Sequence, residues 1–398
     1  MKYVVLVPDG AADRPLDDLD GRTPLEAAST PNLDQLALEG NVGLVNMIPP
    51  ERHPGSDVGN LEIFGYDSRK FYTGRAPLEA ASMGVKLGPR DVAFRLNTVN
   101  RDADILVDYS AGHISTEESH QLMQELIEGL EGTGFCIYPG IGYRHLFVMD
   151  DGPDDLKTVP PHDIMGNSIK EHLPTGKGSQ QVCQIMDRAE QILVESSINT
   201  ERIARGELPA NAIWLWGSGR ALSLPSLKEK YGFCGAVISA VDLVRGIGRC
   251  AGLRIVNVPG ATGYLDTNYK GKAEYALRVL QDENFVYLHV EAPDEAGHNG
   301  DVGAKIKAIE EIDAKVVGPL LNGLADLGPC RLLVTPDHPT PIKLRTHSRD
   351  PVPFLLWGHG FEPDDVKCYS EKSALKGGRL VKHGYNLMEY LRGNGSLQ

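Results

Sequence analysis

Asp9, Ser56, Asp294, His298, Asp337, His338 and His347 are residue types that bind divalent cations or attack an electrophile. Three apolar runs lead into most of them. Tyr3-Val4-Val5-Leu6-Val7 stops at Pro8-Asp9-Gly10. Phe285-Val286-Tyr287-Leu288-His289-Val290 stops at Glu291-Ala292-Pro293-Asp294, with His298 four residues on. Arg331-Leu332-Leu333-Val334-Thr335 stops at Pro336-Asp337-His338. Each run reads as a buried strand ending in a carboxylate. In an open parallel sheet the strand carboxyl ends share one edge, where ligands bind. Residues far apart in sequence can therefore meet. Mixed carboxylate and imidazole donors suit Mn²⁺, Zn²⁺ or a related ion and not a thiolate-type site.

Each pair is weak alone. Asp294 and His298 fall on one face of a helix if Pro293 opens it, yet that spacing more often marks a cap and a surface residue. Asp337-His338 is stiffened by Pro336, Pro339 and Pro341, which suits ligands held in one geometry. Ser56, in His53-Pro54-Gly55-Ser56-Asp57, precedes a helix start where backbone N–H groups favour a phosphate. A Ser there is ordinarily an N-cap. It becomes a nucleophile only if its proton is removed or a metal lowers its pKa.

The elements that must position these groups alternate between strand and helix, which argues for an α/β sheet sandwich. Short helices are expected from Thr23 to Ser29, from Pro31 to Gly40 and from Ala76 to Ser82. The texture changes between about residues 100 and 208. An amphipathic helix from Ser115 to Leu130, strands near Phe135–Tyr138 and His145–Met149, and a Pro/Gly/Asp-rich loop from Asp150 to His172 read as an inserted domain. The expected division is residues 1–99 and 209–398 for the core and 100–208 for the insert, with hinges near 100 and 208. Alternation resumes at Ala212–Trp216 and runs to Pro353–Trp357.

Composition narrows the class. The chain has 398 residues, 41% apolar and 24% charged, as in soluble globular proteins. A net charge of −14 disfavours general nucleic-acid binding, because phosphates are repelled. Six cysteines without a C-x-x-C pair read as reduced thiols of a cytoplasmic protein. No signal peptide or membrane span is expected. Gly246-x-Gly248-x-x-x-Gly252 misses the dinucleotide spacing, and Gly176-Lys177-Gly178-Ser179 misses that of a P-loop.

Taken together, the motifs resemble the alkaline phosphatase superfamily and, within it, the archaeal-type cofactor-independent phosphoglycerate mutases. The resemblance spans the chain. It rests on Val7-Pro8-Asp9-Gly10, Thr30-Pro31-Asn32-Leu33-Asp34, Pro54-Gly55-Ser56-Asp57, Tyr72-Thr73-Gly74-Arg75-Ala76-Pro77-Leu78-Glu79-Ala80, Asp108-Tyr109-Ser110-Ala111-Gly112 and Gly260-Ala261-Thr262-Gly263, together with the Asp294, Asp337 and His347 segments. It implies an alkaline-phosphatase-like three-layer α/β sandwich with an inserted smaller α+β domain.

The resemblance also implies two divalent ions, Mn²⁺ first and Zn²⁺, Co²⁺ or Mg²⁺ as alternatives, and no 2,3-bisphosphoglycerate. Asp9, Asp337, His338 and Ser56 would hold one ion, and Asp294, His298 and His347 the other. Ser56 would take the phosphoryl group from phosphoglycerate and return it to the other hydroxyl of the trapped glycerate. Arg144, Lys272, Arg75 and Arg95 are the candidate cations for substrate, since Arg suits carboxylate and phosphate. Two positions depart from the family pattern. Asn60 stands where many mutases have His, and His113 where relatives often have Arg; both are expected near substrate. A homoserine kinase on the same metal core, or a metal-dependent phosphatase, is the alternative. The partner is a small phosphorylated molecule, with no membrane or nucleic acid and the oligomeric state open.

Overall fold

The computed structural model describes residues 1–130 and 134–393. It divides into two compact units, one formed by residues 1–72 and 223–398, the other by residues 73–222. The crossings therefore fall near 72 and 222 rather than near 100 and 208. The reason is one long strand. Val92–Asp102 pairs with Ala212–Arg220 from Val92↔Arg220 to Val99↔Ala212, and with Arg144–Met149 along its other edge. Cutting at residue 99 would sever this ladder. The helix Arg75–Met83 also belongs here, because Ala76 and Ala80 pack with Ala93, Leu146 and Val148.

The first unit is built on an eight-stranded mixed sheet. Its order is Arg254–Ile255, Gly235–Ile238, Phe285–Val290, Lys2–Pro8, Cys330–Val334, Val352–Gly358, Asn41–Val45 and Leu380–Val381. The first five run parallel, and Val352–Gly358 is antiparallel to both neighbours. Phe285–Val290 is buried at every position, as a strand covered on both faces must be. One face carries Val4, Leu6, Val286, Leu288, Leu332 and Val334 against Leu33, Leu36, Ala273, Ala276 and Leu320 of flanking helices. On the other face Tyr287 stacks on Phe64, the C-cap of helix Ser56–Ile63, with ring centroids 4.0 Å apart. Helix, sheet and helix make the three expected layers.

The short helices form as local signals dictate. Pro24–Ala27 starts with a reciprocal capping box between Thr23 and Glu26. Pro31–Glu39 gets no side-chain cap from Thr30. Buried Asp313 caps it instead, accepting from Leu33 N at 2.7 Å, Asn32 N at 3.2 Å and Asn32 Nδ2 at 2.9 Å. Asp313 opens a π-helical turn, Asp313–Val317, between the helices Val302–Ile312 and Gly318–Ala325. Such an inserted turn re-aims a side chain.

The second unit is α+β. Val92–Asp102 is central to a five-stranded antiparallel sheet that also contains Ile105–Asp108, Phe135–Ile141, Arg144–Met149 and Ala212–Arg220. Helices Thr116–Gly129 and Ser179–Val194 bury Leu122, Leu126, Val182 and Ala189 against Phe94, Phe147 and Trp214. The helix, the hairpin and the irregular 150–172 segment match the sequence expectation. Among the described residues no helix is long and apolar enough to cross a membrane.

Replacing Asp313 by Ala leaves the first-turn N–H groups of Pro31–Glu39 without their acceptor. The expected loss is about 2 kcal/mol, read as a lower urea midpoint at unchanged m-value.

Candidate metal centre

The parallel register delivers the donors to one edge. Asp9 follows strand Lys2–Pro8, and Asp337 follows Cys330–Val334 after Thr335-Pro336. Phe285–Val290 leads into helix Ala292–Asn299, whose first turn contains Pro293 and Asp294 and whose last turn contains His298. Ser56 is the first residue of helix Ser56–Ile63, and Gly55 is its N-cap. The ordinary reading of Ser56 as a cap is therefore corrected. Its hydroxyl lies 3.0 Å from His338 Nε2.

The seven sequence-predicted residues come together, all in the first unit. His298 Nε2 is 3.2 Å from Asp294 Oδ2, and His347 Nε2 is 3.6 Å from Asp294 Oδ1. His338 Nε2 is 3.5 Å from Asp9 Oδ1 and 3.4 Å from Asp337 Oδ2. Three donor groups have their ligand atoms within 4.8 Å of one another: Asp294, His298 and His347; Asp9, Asp294 and His338; and Asp9, His289 and Asp337. Asp294 thus stands in two groups, and His289 enters a third that the sequence did not suggest.

The donor chemistry fits cations. His298 and His347 bring their Nε2 atoms within 3.0 Å of each other. The Nδ1 of His298 is 3.0 Å from the Arg345 carbonyl and donates to it, which turns Nε2 toward the cluster. Asp337 and His338 are wholly buried, and Asp9 Oδ1 is a buried oxygen with no hydrogen-bond partner. Such an orphan is costly unless something electropositive meets it.

Electrostatics say the same. Burial, then the charges of Asp337 and Asp294, push the Asp9 carboxyl well above its usual range. Burial also opposes ionisation of Asp294, but hydrogen bonds from His298 and His347 outweigh it and hold this carboxyl low. Donating that hydrogen bond to Asp294 in turn lifts His298 to about 9. Burial keeps His338 below the usual imidazole value.

A second layer of polar groups fixes the donors. Asn60 Nδ2 donates to Asp337 Oδ2 at 2.7 Å and to Ser56 O at 2.9 Å, and Asn60 Oδ1 accepts from Tyr287 Oη at 2.6 Å. Asn60 is wholly buried. It is a strut between the turn of Ser56 and the Asp337 carboxylate, and the expectation that it faces substrate is corrected. Lys305, also wholly buried, donates to Asp13 Oδ2 and Thr340 O at 2.8 Å each and to Ala12 O at 3.2 Å. Thr340 in turn donates to Asp294 Oδ1. One ammonium thus joins the loops that carry Asp9, Asp337 and, through Thr340, Asp294. Gly59 is required for close approach, since a Cβ there would lie 2.3 Å from Asp337 O.

Asp13 connects further outward to Glu371, whose carboxylate accepts from Asp13 N at 3.0 Å and Thr23 Oγ1 at 2.7 Å. Burial lifts the Glu371 carboxyl to about 7 against these bonds.

The candidate substrate cations are placed differently. Lys272 is wholly buried in the first unit, its Nζ 2.9 Å from the His289 carbonyl, and burial lowers it to about 8. Nothing brings it to an open surface. In the second unit Arg95 is also buried, bonded to Glu79 at 2.9 Å and stacked 4.2 Å over Trp216. Arg75 lies 3.7 Å from the same Glu79. Arg144 is exposed and lies over Tyr143. His113, exposed with φ 54°, joins Tyr109 and Tyr143 in an aromatic cluster.

His289, Lys305, Thr340 and Tyr287 were not anticipated. For His289 and Tyr287 the sequence signal is a His and a Tyr inside an otherwise apolar strand.

An α/β sheet with a carboxylate–imidazole cluster at its carboxyl edge and a Ser at a helix start defines a metal-dependent phosphoryl-transfer type of centre. Comparison with known proteins makes the assignment specific. The 2,3-bisphosphoglycerate-independent phosphoglycerate mutase family profile matches residues 37–199. A Geobacter sulfurreducens relative assigned to the same mutase family is 53% identical, covering 98% of this chain and 99% of its own. The 2,3-bisphosphoglycerate-independent phosphoglycerate mutase of Methanothrix thermoacetophila is 51% identical over the same shares. Among solved structures, the PH0037 protein from Pyrococcus horikoshii aligns with a TM-score of 0.84 at 30% identity, covering 99% of this chain and 98% of that one. The chain belongs to the 2,3-bisphosphoglycerate-independent phosphoglycerate mutase family.

Replacing Asn60 by Ala removes a donor from Asp337. Isothermal titration with Mn²⁺ should show an affinity lower by about 10–100-fold, with the Asp294 side of the centre less affected. For Glu371 the sign is set by a raised native pKa. The native state holds more protons than the unfolded one between pH 4.5 and about 7, so stability falls as pH rises through that window. Glu371→Gln should flatten this part of the stability–pH curve in urea titrations; an unchanged slope would mean the group does not titrate there.

Proposed function

We propose that this chain interconverts 2-phosphoglycerate and 3-phosphoglycerate through a phosphoserine at Ser56. The observation that carries the reading is Ser56 Oγ, 3.0 Å from His338 Nε2, at the start of a helix and beside a buried carboxylate–imidazole cluster. Full-length identity to the mutases above supports the substrate.

Two divalent cations, Mn²⁺ first among them, fit the donors. Asp9, Asp337, His338 and Ser56 are the ligands for one, and Asp294, His298 and His347 for the other. When bound, such ions neutralise phosphoryl charge and favour the serine alkoxide. The protein groups do the positioning. The helix start at Ser56 directs its dipole at the phosphoryl group. The Oγ–phosphorus bond forms as the ester bond to glycerate breaks. The glycerate then offers its other hydroxyl, which takes the phosphoryl group and frees Ser56. No water is consumed, so retaining glycerate and excluding water separates a mutase from a phosphatase.

The guanidinium groups of Arg144, Arg75 and Arg95 are of a type that suits a substrate's anionic groups; Arg75 and Arg95 share Glu79, and Arg95 also lies over Trp216. His113 stands in the same aromatic cluster as Tyr143, beside Arg144. The Asn60 departure does not weaken the mutase reading, because its amide is committed to Asp337, Ser56 and Tyr287. Six free cysteines fit a reducing compartment such as the cytoplasm.

The test is metal-reconstituted protein converting 3-phosphoglycerate to 2-phosphoglycerate, coupled to enolase, without 2,3-bisphosphoglycerate. Turnover should appear with Mn²⁺, disappear with chelator and fall at least about a thousand-fold in Ser56→Ala. Inorganic phosphate as the main product would mean a phosphatase. ATP-dependent phosphohomoserine formation without mutase turnover would mean a kinase.

A further inference from the structure

We propose that His289 is an additional metal ligand, its Nε2 joining Asp9 and Asp337 on the cation those two carboxylates share. The inference rests on the two-cation reading above and adds a donor that the ligand set given there leaves out.

His289 lies in the middle layer of the sheet, in register with Val7 on the neighbouring strand, two residues before Asp9. It is wholly buried. Its Nε2 lies 3.0 Å from Asp9 Oδ2, yet makes no hydrogen bond. At that separation only misalignment prevents one. Two polar atoms that are close but not aimed at each other are free to face a common third point. The ligand atoms of Asp9, His289 and Asp337 lie within 4.8 Å of one another, so one ion can reach all three.

The opposite side of the ring supports the needed tautomer. His289 Nδ1 is 3.3 Å from Ser239 Oγ. With the proton on Nδ1 and donated to that hydroxyl, Nε2 keeps its lone pair. A metal-binding imidazole is commonly oriented in this way. Ser239 is itself fixed, its Oγ accepting from Val241 N at 3.0 Å. His338 meets Asp9 at the other carboxylate oxygen, Oδ1, at 3.5 Å. The Asp9 carboxylate is thus flanked by an imidazole on each oxygen. The competing arrangement puts the proton on Nε2 and makes His289 only a partner that steadies Asp9.

Pulsed electron paramagnetic resonance on the wild-type chain loaded with Mn²⁺ decides between them, with ¹⁴N- and ¹⁵N-histidine samples compared. The expected result is coupling to four imidazoles, those of His289, His338, His298 and His347. Three imidazoles with both ions bound would overturn the proposal and leave the two-cation reading intact. No bound Mn²⁺ would overturn that reading and this proposal with it. His289→Ala, titrated with Mn²⁺ as folded protein, should bind one of two ions at least about ten-fold more weakly. Wild-type affinity at both sites would overturn the proposal. A variant that fails to fold leaves the spectroscopic count to decide.

Discussion

Three carboxylates, Asp9, Asp294 and Asp337, are packed out of water at one edge of one sheet. Like charges at such separations repel by several kcal/mol even at the moderate effective dielectric of a protein, about 4 kcal/mol for a pair 4 Å apart. Nothing in a hydrophobic sandwich needs this arrangement, and much of the surrounding structure answers it. The Asp9 carboxyl is pushed well above its usual range, Asp294 draws on two imidazoles, and Asp337 accepts from Asn60, Gly10 N and His338 N. These responses reduce the repulsion without removing it. Divalent charge removes it, and the donors that face inward are the types such ions prefer.

The crowding also demands rigidity, because charges that repel will spread if their loops are free. Lys305 supplies the clamp. All three contacts of its ammonium end on loops that follow the ligand-bearing strands, and Thr340 passes the restraint to Asp294. A buried Lys is itself expensive to desolvate. Pairing with Asp13 and two backbone carbonyls makes it tolerable, and the Asp13–Glu371–Thr23 chain ties that pair to the helix starting at Pro24. A site held to within a fraction of an ångström needs this kind of support outside the ligands.

Much of the site was legible because strand ends announce themselves. An apolar run halted by Pro-Asp is readable, and so is an Asp and His four apart behind a Pro. What stayed hidden has physical reasons. His289 sits inside a strand buried on both faces, where no alternation separates a packed residue from a pointed one. Lys272 reads from sequence as a candidate cation for substrate and Lys305 does not stand out at all, because sequence does not reveal which helix face the sheet will cover. The unit boundary is not legible in the sequence because Val92–Asp102 takes its partners from Arg144–Met149 and Ala212–Arg220, far along the chain. Asn60 is expected near substrate because it stands where many mutases have His, whereas its amide is committed to Asp337, Ser56 and Tyr287.

The placement of Ser56 shows how small a shift separates structure from chemistry. As an N-cap, its oxygen would accept an N–H two or three residues on, and its lone pairs would serve the helix. The chain puts Gly55 in the cap position instead, so that no side chain competes for that role, and Ser56 becomes the first helical residue. Its hydroxyl then makes no capping bond and lies against His338. Gly59, one turn later, lets the same helix press onto the Asp337 backbone, and Asn60 bonds both Ser56 O and Asp337 Oδ2. The position of Ser56 is therefore set by the loop that carries Asp337. A displacement of that loop moves Ser56 with it, which couples the placement of this hydroxyl to the integrity of the cluster.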